Sequence, residues 1–159
     1  SELLLKSSFR EVRIGLESFN PETQKKTGGK IDNRVFEKAV NSLSSAGFSK
    51  KDIHVYLLAG LPFQRWEEVK ESIDYVLSLG CTPHIAEYAP CPHTEIFEKY
   101  ANYARFPIKE EPLFQNNSLF PFASERFSEV DLQLLKSYLR RRTQNASLDS
   151  THKVPQIDL

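Results

Sequence analysis

Val55-Tyr56-Leu57-Leu58-Ala59-Gly60-Leu61-Pro62-Phe63-Gln64 is the stretch that decides the fold. An apolar run stops at a glycine, turns through a proline, and leads into a segment where Trp66, Val69, Ile73, Val76 and Leu77 recur at helical spacing. A strand that ends on glycine and feeds an amphipathic helix is one unit of a parallel α/β sheet. In such sheets the strand-to-helix turns form the ligand site.

Upstream, Val12, Ile14 and Leu16 alternate with Arg13, Gly15 and Glu17, which predicts another strand. Asn20-Pro21 ends it, and a polar, glycine-bearing segment follows to Lys30. Asp32 is the expected N-cap of a helix with Val35, Phe36, Ala39, Val40, Leu43 and Ala46 on its buried face, stopped by Gly47. The second strand, 53–59, is apolar almost throughout, so both of its faces are expected to be covered. Downstream, Gly80 closes the second helix, 83–88 is a third strand, and Thr94 caps a short helix to about Tyr103. The order β-α-β-α-β with right-handed crossovers makes the three strands parallel and brings Glu17, Ala59 and Tyr88 to one rim.

Residues 105–127 carry Pro107, Pro112 and Pro121 without a clear period, yet Phe106, Leu113, Phe114, Leu119, Phe120 and Phe122 call for burial. The segment therefore reads as a structured excursion. Ser128-Glu129-Val130-Asp131 resembles a capping box opening a last helix, with Val130, Leu134, Leu135, Tyr138 and Leu139 inward. The divisions are thus 1–104 for the α/β part, 105–144 for an extension with a terminal helix, and 145–159 for a frayed polar tail.

Twenty-one basic residues balance twenty-one acidic ones, so no net field draws the chain to nucleic acid or an anionic membrane. Arg140-Arg141-Arg142 closes a helix, where cations suit the dipole. No apolar run approaches a membrane span and no signal peptide opens the sequence. Two cysteines give no disulfide framework, and the expected compartment is the reducing cytoplasm. The sequons at Asn116 and Asn145 read as chance matches in polar loops. The chain has no methionine and starts at Ser1 just before Leu3-Leu4-Leu5, which reads as a piece cut from a longer protein. Its 159 residues also fall short of the roughly 250 of a complete (β/α)8 barrel.

The candidate site lies along the rim. Glu17, followed by Ser18, offers a carboxylate to ribose hydroxyls or an amino group. Gly60 lets a ligand ring approach backbone that lacks a Cβ. Gln64 is an uncharged hydrogen-bonding group at the mouth of the next helix. In Ala89-Pro90-Cys91-Pro92 the prolines stiffen a turn that could edge a planar ligand. Each of these also has a purely structural reading as a solvated loop residue, a turn, a cap or a strand terminator. Cys81, His84, Cys91 and His93 contain the donors of a zinc site, but they lack a tight C-x₂₋₄-C knuckle, and roughly 20 Å of strand divides them. A zinc-holding interaction domain is therefore an alternative. Another is a TIM-like enzyme with a phosphate-bearing ligand, for which Thr27-Gly28-Gly29 is the one glycine-rich candidate.

Taken in order, three motifs resemble the carboxyl half of a radical S-adenosylmethionine (SAM) domain. They are Val12-Arg13-Ile14-Gly15-Leu16-Glu17-Ser18-Phe19, Leu57-Leu58-Ala59-Gly60-Leu61-Pro62-x-Gln64, and Ala86-Glu87-Tyr88-Ala89-Pro90-x-Pro92-x-Thr94. The closest flavour is the iron–sulfur oxidoreductase group, often preceded by a cobalamin-binding domain, and the likeness runs from about Phe9 to Tyr103. It implies a partial TIM-like barrel in which these three β-α units are the second half of a (β/α)6 barrel, with the first half as partner. It implies SAM contacts at Glu17 and Ser18, adenine packing at Leu58 and Gly60, and an adenine-side edge at Ala89 and Pro90. Gln64 stands nearest the family's acidic residue. The resemblance also implies that a four-iron four-sulfur cluster donates an electron to cleave SAM to a 5′-deoxyadenosyl radical. The family's C-x₃-C-x₂-C cluster loop is not in this sequence, so the chain alone is expected to be inactive, with its substrate unknown.

Overall fold

The computed structural model describes residues 2–151, with side chains described as far as Gln144. Three strands, β1 (Val12–Glu17), β2 (Ile53–Ala59) and β3 (Thr82–Glu87), lie side by side in sequence order, and both pairings are parallel. Among the described residues six α-helices accompany them: α1 (Glu2–Lys6), α2 (Pro21–Lys26), α3 (Asn33–Ser45), α4 (Trp66–Ser78), α5 (Glu95–Tyr100) and α6 (Glu129–Thr151). The sheet is open, an α/β arrangement of the kind expected for a partial TIM-like barrel with a C-terminal helix.

The crossover helices α3 and α4 cover one face of the sheet. Phe36, Val40 and Leu43 of α3 and Val69, Ile73 and Val76 of α4 close over Leu16, Ile53, Val55, Leu57 and Ala59. Local chemistry sets the ends of α3 as expected. Asp32 accepts from the Val35 N–H at 2.8 Å, and Gly47 takes φ +111° just past the end. Val35 is exposed, because the buried stripe is narrower than its apolar residues allow.

Two expectations for this part need correction. Burial alternates strictly along β2, so His54, Tyr56 and Leu58 stand half-buried on the sheet's other face, which no crossover helix covers. The segment after Asn20-Pro21 is the helix α2. Asn20 accepts from the Glu22 and Thr23 N–H groups, and Pro21 occupies the first turn, so the pair opens a helix as well as ending a strand.

The excursion wraps back onto the sheet end. Phe120 and Phe127 join the main core, while Phe97, Ala101, Ile108 and Phe122 form a second one against Tyr88 and Tyr100. Leu113, expected inside, is 77% exposed. At the last helix Ser128 and Asp131 exchange cap hydrogen bonds as expected. The inward residues, however, are Leu132 and Leu135, with Tyr138 and Leu139 packed beside them, whereas Val130 and Leu134 face solvent. α6 lies on α4 and β3, where Tyr138 donates to Asp74 and Lys136 pairs with Glu87. It runs to Thr151, past the expected start of the tail; residues 152–159 of that tail lie outside the described residues.

Candidate functional site

A groove of about 360 Å³ opens at the carboxyl ends of the strands. Glu17 at the end of β1 and Leu58 and Leu61 at the end of β2 line it, facing Lys25 and Lys26 of α2 and Tyr88, Cys91 and Thr94 beyond β3. A larger hollow of about 850 Å³ lies between α1 and α3, but its walls include the solvent-facing Arg34, Glu37 and Asn41, and no strand end reaches it. Position in the fold favours the rim groove.

Glu17 reaches the groove from a strained backbone. The Ser18 N–H donates to the Leu16 carbonyl at 2.9 Å, closing a three-residue turn whose central residue, Glu17, sits at φ +68°. A non-glycine residue in this region costs about 1–2 kcal/mol, so its neighbours must hold it there. Ser18 supplies that hold. Fully buried, it donates from Oγ to Glu68 Oε1 at 2.7 Å, accepts from the Asn20 N–H at 3.1 Å, and receives Gln24 Nε2 on its carbonyl at 2.8 Å. Ser18 is therefore turned away from any ligand and anchors the turn.

Gln64 is likewise engaged within the chain. Its side-chain oxygen accepts from the Gly60 and Leu61 N–H groups at 3.0 and 3.3 Å, and its nitrogen donates to the Leu58 carbonyl at 2.9 Å. The amide closes the β2–α4 turn on itself. Gly60 takes φ +93°, and a Cβ there would stand 2.3 Å from Phe120 Cε2. The ring against this glycine is thus Phe120 of the excursion. Pro90 is buried and Ala89 exposed, and they connect the groove residues Tyr88 and Cys91. Burial raises the Tyr88 hydroxyl above its ordinary range, so it stays protonated at neutral pH.

Of the seven residues expected at the site, Glu17 and Leu58 line the groove, Ser18, Gly60 and Gln64 shape its walls, and Ala89 and Pro90 carry its far edge. Sequence reasoning did not single out the lysines of α2, because the helix carrying them was not recognised. Asn20-Pro21 read as a helix start would have found them.

The zinc donors are dispersed. Cys81 is in the core, His84 pairs with His54 on the open face, and Cys91 and His93 are exposed. Among the described residues no group of three or more His, Cys, Asp or Glu side chains could hold a metal ion. Thr27-Gly28-Gly29 follows the carboxyl end of α2, with two residues between it and Asp32, the N-cap of α3, and Thr27 and Gly28 line the groove. No helix among the described residues is long and apolar enough to cross a membrane.

Parallel β-α units with a groove at their carboxyl rim define the class of architecture. Within it, the sequence model of the Radical SAM superfamily matches residues 2–76, from α1 through β1 and β2 into α4. No curated protein matches the chain.

Proposed function

We propose that this chain is a portion of a radical SAM enzyme and that the rim groove holds SAM. The observation that carries this reading is Glu17, kept at φ +68° by a buried serine, in a groove at the carboxyl rim of a segment that matches the superfamily. The residues suit the ligand. A carboxylate accepts from ribose hydroxyls or the methionyl ammonium, while Leu58, Leu61 and Tyr88 offer an apolar bed that keeps water from a planar base. Ser18 positions Glu17, Gln64 and Gly60 fix the turn beneath Leu58, and Ala89 and Pro90 set the rim. Bound SAM supplies a sulfonium whose bond to the 5′ carbon is the one the family's chemistry opens.

The cluster is a different matter. The sequence holds two cysteines, one of them buried in the core, which does not suit a group that the family binds through three thiolates, so no step is derived through it. We assign the cluster, and any cobalamin, to parts of an iron–sulfur oxidoreductase beyond this chain. The chain alone is then inactive, and its partner is the amino-terminal half of the barrel, pairing along the free edge of β1. The two unpaired cysteines favour a cytoplasmic setting.

SAM titrated into the chain and followed by amide NMR tests the reading. Saturable shifts at Glu17, Leu58 and Tyr88 are expected, weakened about tenfold or more by Glu17→Ala through loss of a charged acceptor. Absence of saturable shifts at these positions would overturn it.

A further inference from the structure

Beside the groove, and sharing Lys26, Glu95 and Ile96 with it, lies a recess of about 100 Å³ walled by Phe63, Lys99 and Tyr100. Its ammonium groups stand over rings. Lys26 Nζ is 4.7 Å from the Phe63 centroid, and Lys99 Nζ is 5.3 Å from the Tyr100 centroid. The two rings meet at 5.6 Å, so the lysines flank a single aromatic pair. Among the described residues neither lysine forms an ion pair with a carboxylate, whereas Lys70 and Lys136 each do. Glu95, on the first turn of α5, is the one carboxylate lining the recess.

We propose that this recess takes an anionic group of the substrate, a phosphate or a carboxylate. The inference rests on the reading of the groove as the SAM site. Two lysines without a carboxylate ion pair, both lining a space of this size, suit one compact anion and leave no room for a nucleoside. Glu95 offsets part of their charge, which favours one or two negative charges over a polyanion. The shared wall lets a molecule anchored here extend into the groove, where the reacting end of SAM would meet it.

Amide NMR of the chain titrated separately with inorganic phosphate, acetate and SAM tests this, using wild type, Lys99→Gln and, as a control at an exposed lysine elsewhere, Lys51→Gln. Lys99 lines the recess but not the groove. Saturable shifts at Lys26, Phe63, Lys99 and Tyr100 with either anion are expected, weakened about fivefold or more by Lys99→Gln and unchanged by Lys51→Gln, with SAM affinity the same in all three. The stronger of the two anions identifies the substrate group. Anion shifts that do not saturate, or that both variants weaken alike, overturn the proposal. Saturation by SAM without saturation by either anion overturns it while leaving the groove reading intact. Saturation by an anion without SAM overturns the groove reading and leaves the anion recess standing.

Discussion

His54 Nδ1 and His84 Nε2 meet at 2.7 Å across β2 and β3, on the sheet face that α3 and α4 leave bare. The rings are stacked, Tyr56 stacks on His84, and Glu11 lies 3.4 Å from the other nitrogen of His54 with Arg13 bound to it. A hydrogen bond between two imidazoles needs one nitrogen as acceptor, so two fully protonated rings cannot keep it. Burial, then the neighbouring His54, then Arg13 push the His84 pKa below its ordinary 6.5, with Glu11 opposing.

A pH dependence follows. A histidine whose folded pKa is depressed binds its proton more readily when unfolded. The stability it contributes is complete above about 6.5 and lost as pH falls through the folded value. Urea midpoints measured from pH 7.5 down to 5 are expected to decline, and His84→Gln is expected to flatten that part of the curve. An unchanged slope in the variant would refute the assignment.

Glu17 yields the opposite kind of mutation, one that improves the fold. Glu17→Gly relieves a left-handed backbone and is expected to raise stability by about 0.5–1 kcal/mol, allowing for the extra chain entropy of glycine. The same variant is expected to weaken SAM binding about tenfold or more. Thermal unfolding paired with a SAM titration checks both; a destabilised variant would show that the strain is not stored at this residue.

Gly60→Ala should be costly. The left-handed backbone contributes about 1–2 kcal/mol, and the collision with the Phe120 ring about 1–3 more. Phe120→Ala costs about 3–5 kcal/mol by itself, yet the double variant should lie well short of the sum, because the cavity admits the new methyl. Strict additivity in denaturant unfolding would show that the two residues do not touch in solution.

For Gln64, truncation to alanine strands two N–H groups and one carbonyl within the turn. The expected loss is about 2–4 kcal/mol, with faster amide exchange at Gly60 and Leu61. Exchange rates unchanged from wild type would show that the side chain does not hold the turn.

The strands and both crossover helices were legible because period-two and period-3.6 patterns, caps and terminal glycines agreed over residues 12–80. The site was legible as a rim and less so as individual roles. Glu17 could be placed by its position after a strand. That Ser18 and Gln64 spend their polar atoms on backbone depends on turn geometry, which residue type does not encode. Phe120 against Gly60 joins positions sixty apart with no shared pattern. The His54–His84 pair needs the β2–β3 register, which offsets the two positions diagonally. In α6, the six apolar residues between 130 and 139 offered more than one stripe, and only packing on α4 and β3 chose Leu132 over Val130.

The contact of Phe120 with Gly60 also bears on how the protein is made. Synthesis runs from the amino end, so β1, β2 and β3 leave the ribosome well before residue 120 can seal the turn at Gly60. The newborn rim has a gap in its wall until the last third of the chain emerges. Stalled nascent chains ending near Tyr103 are therefore expected to be cut by protease around Gly60, while chains extended past α6 resist, and equal resistance in both would refute this order of assembly.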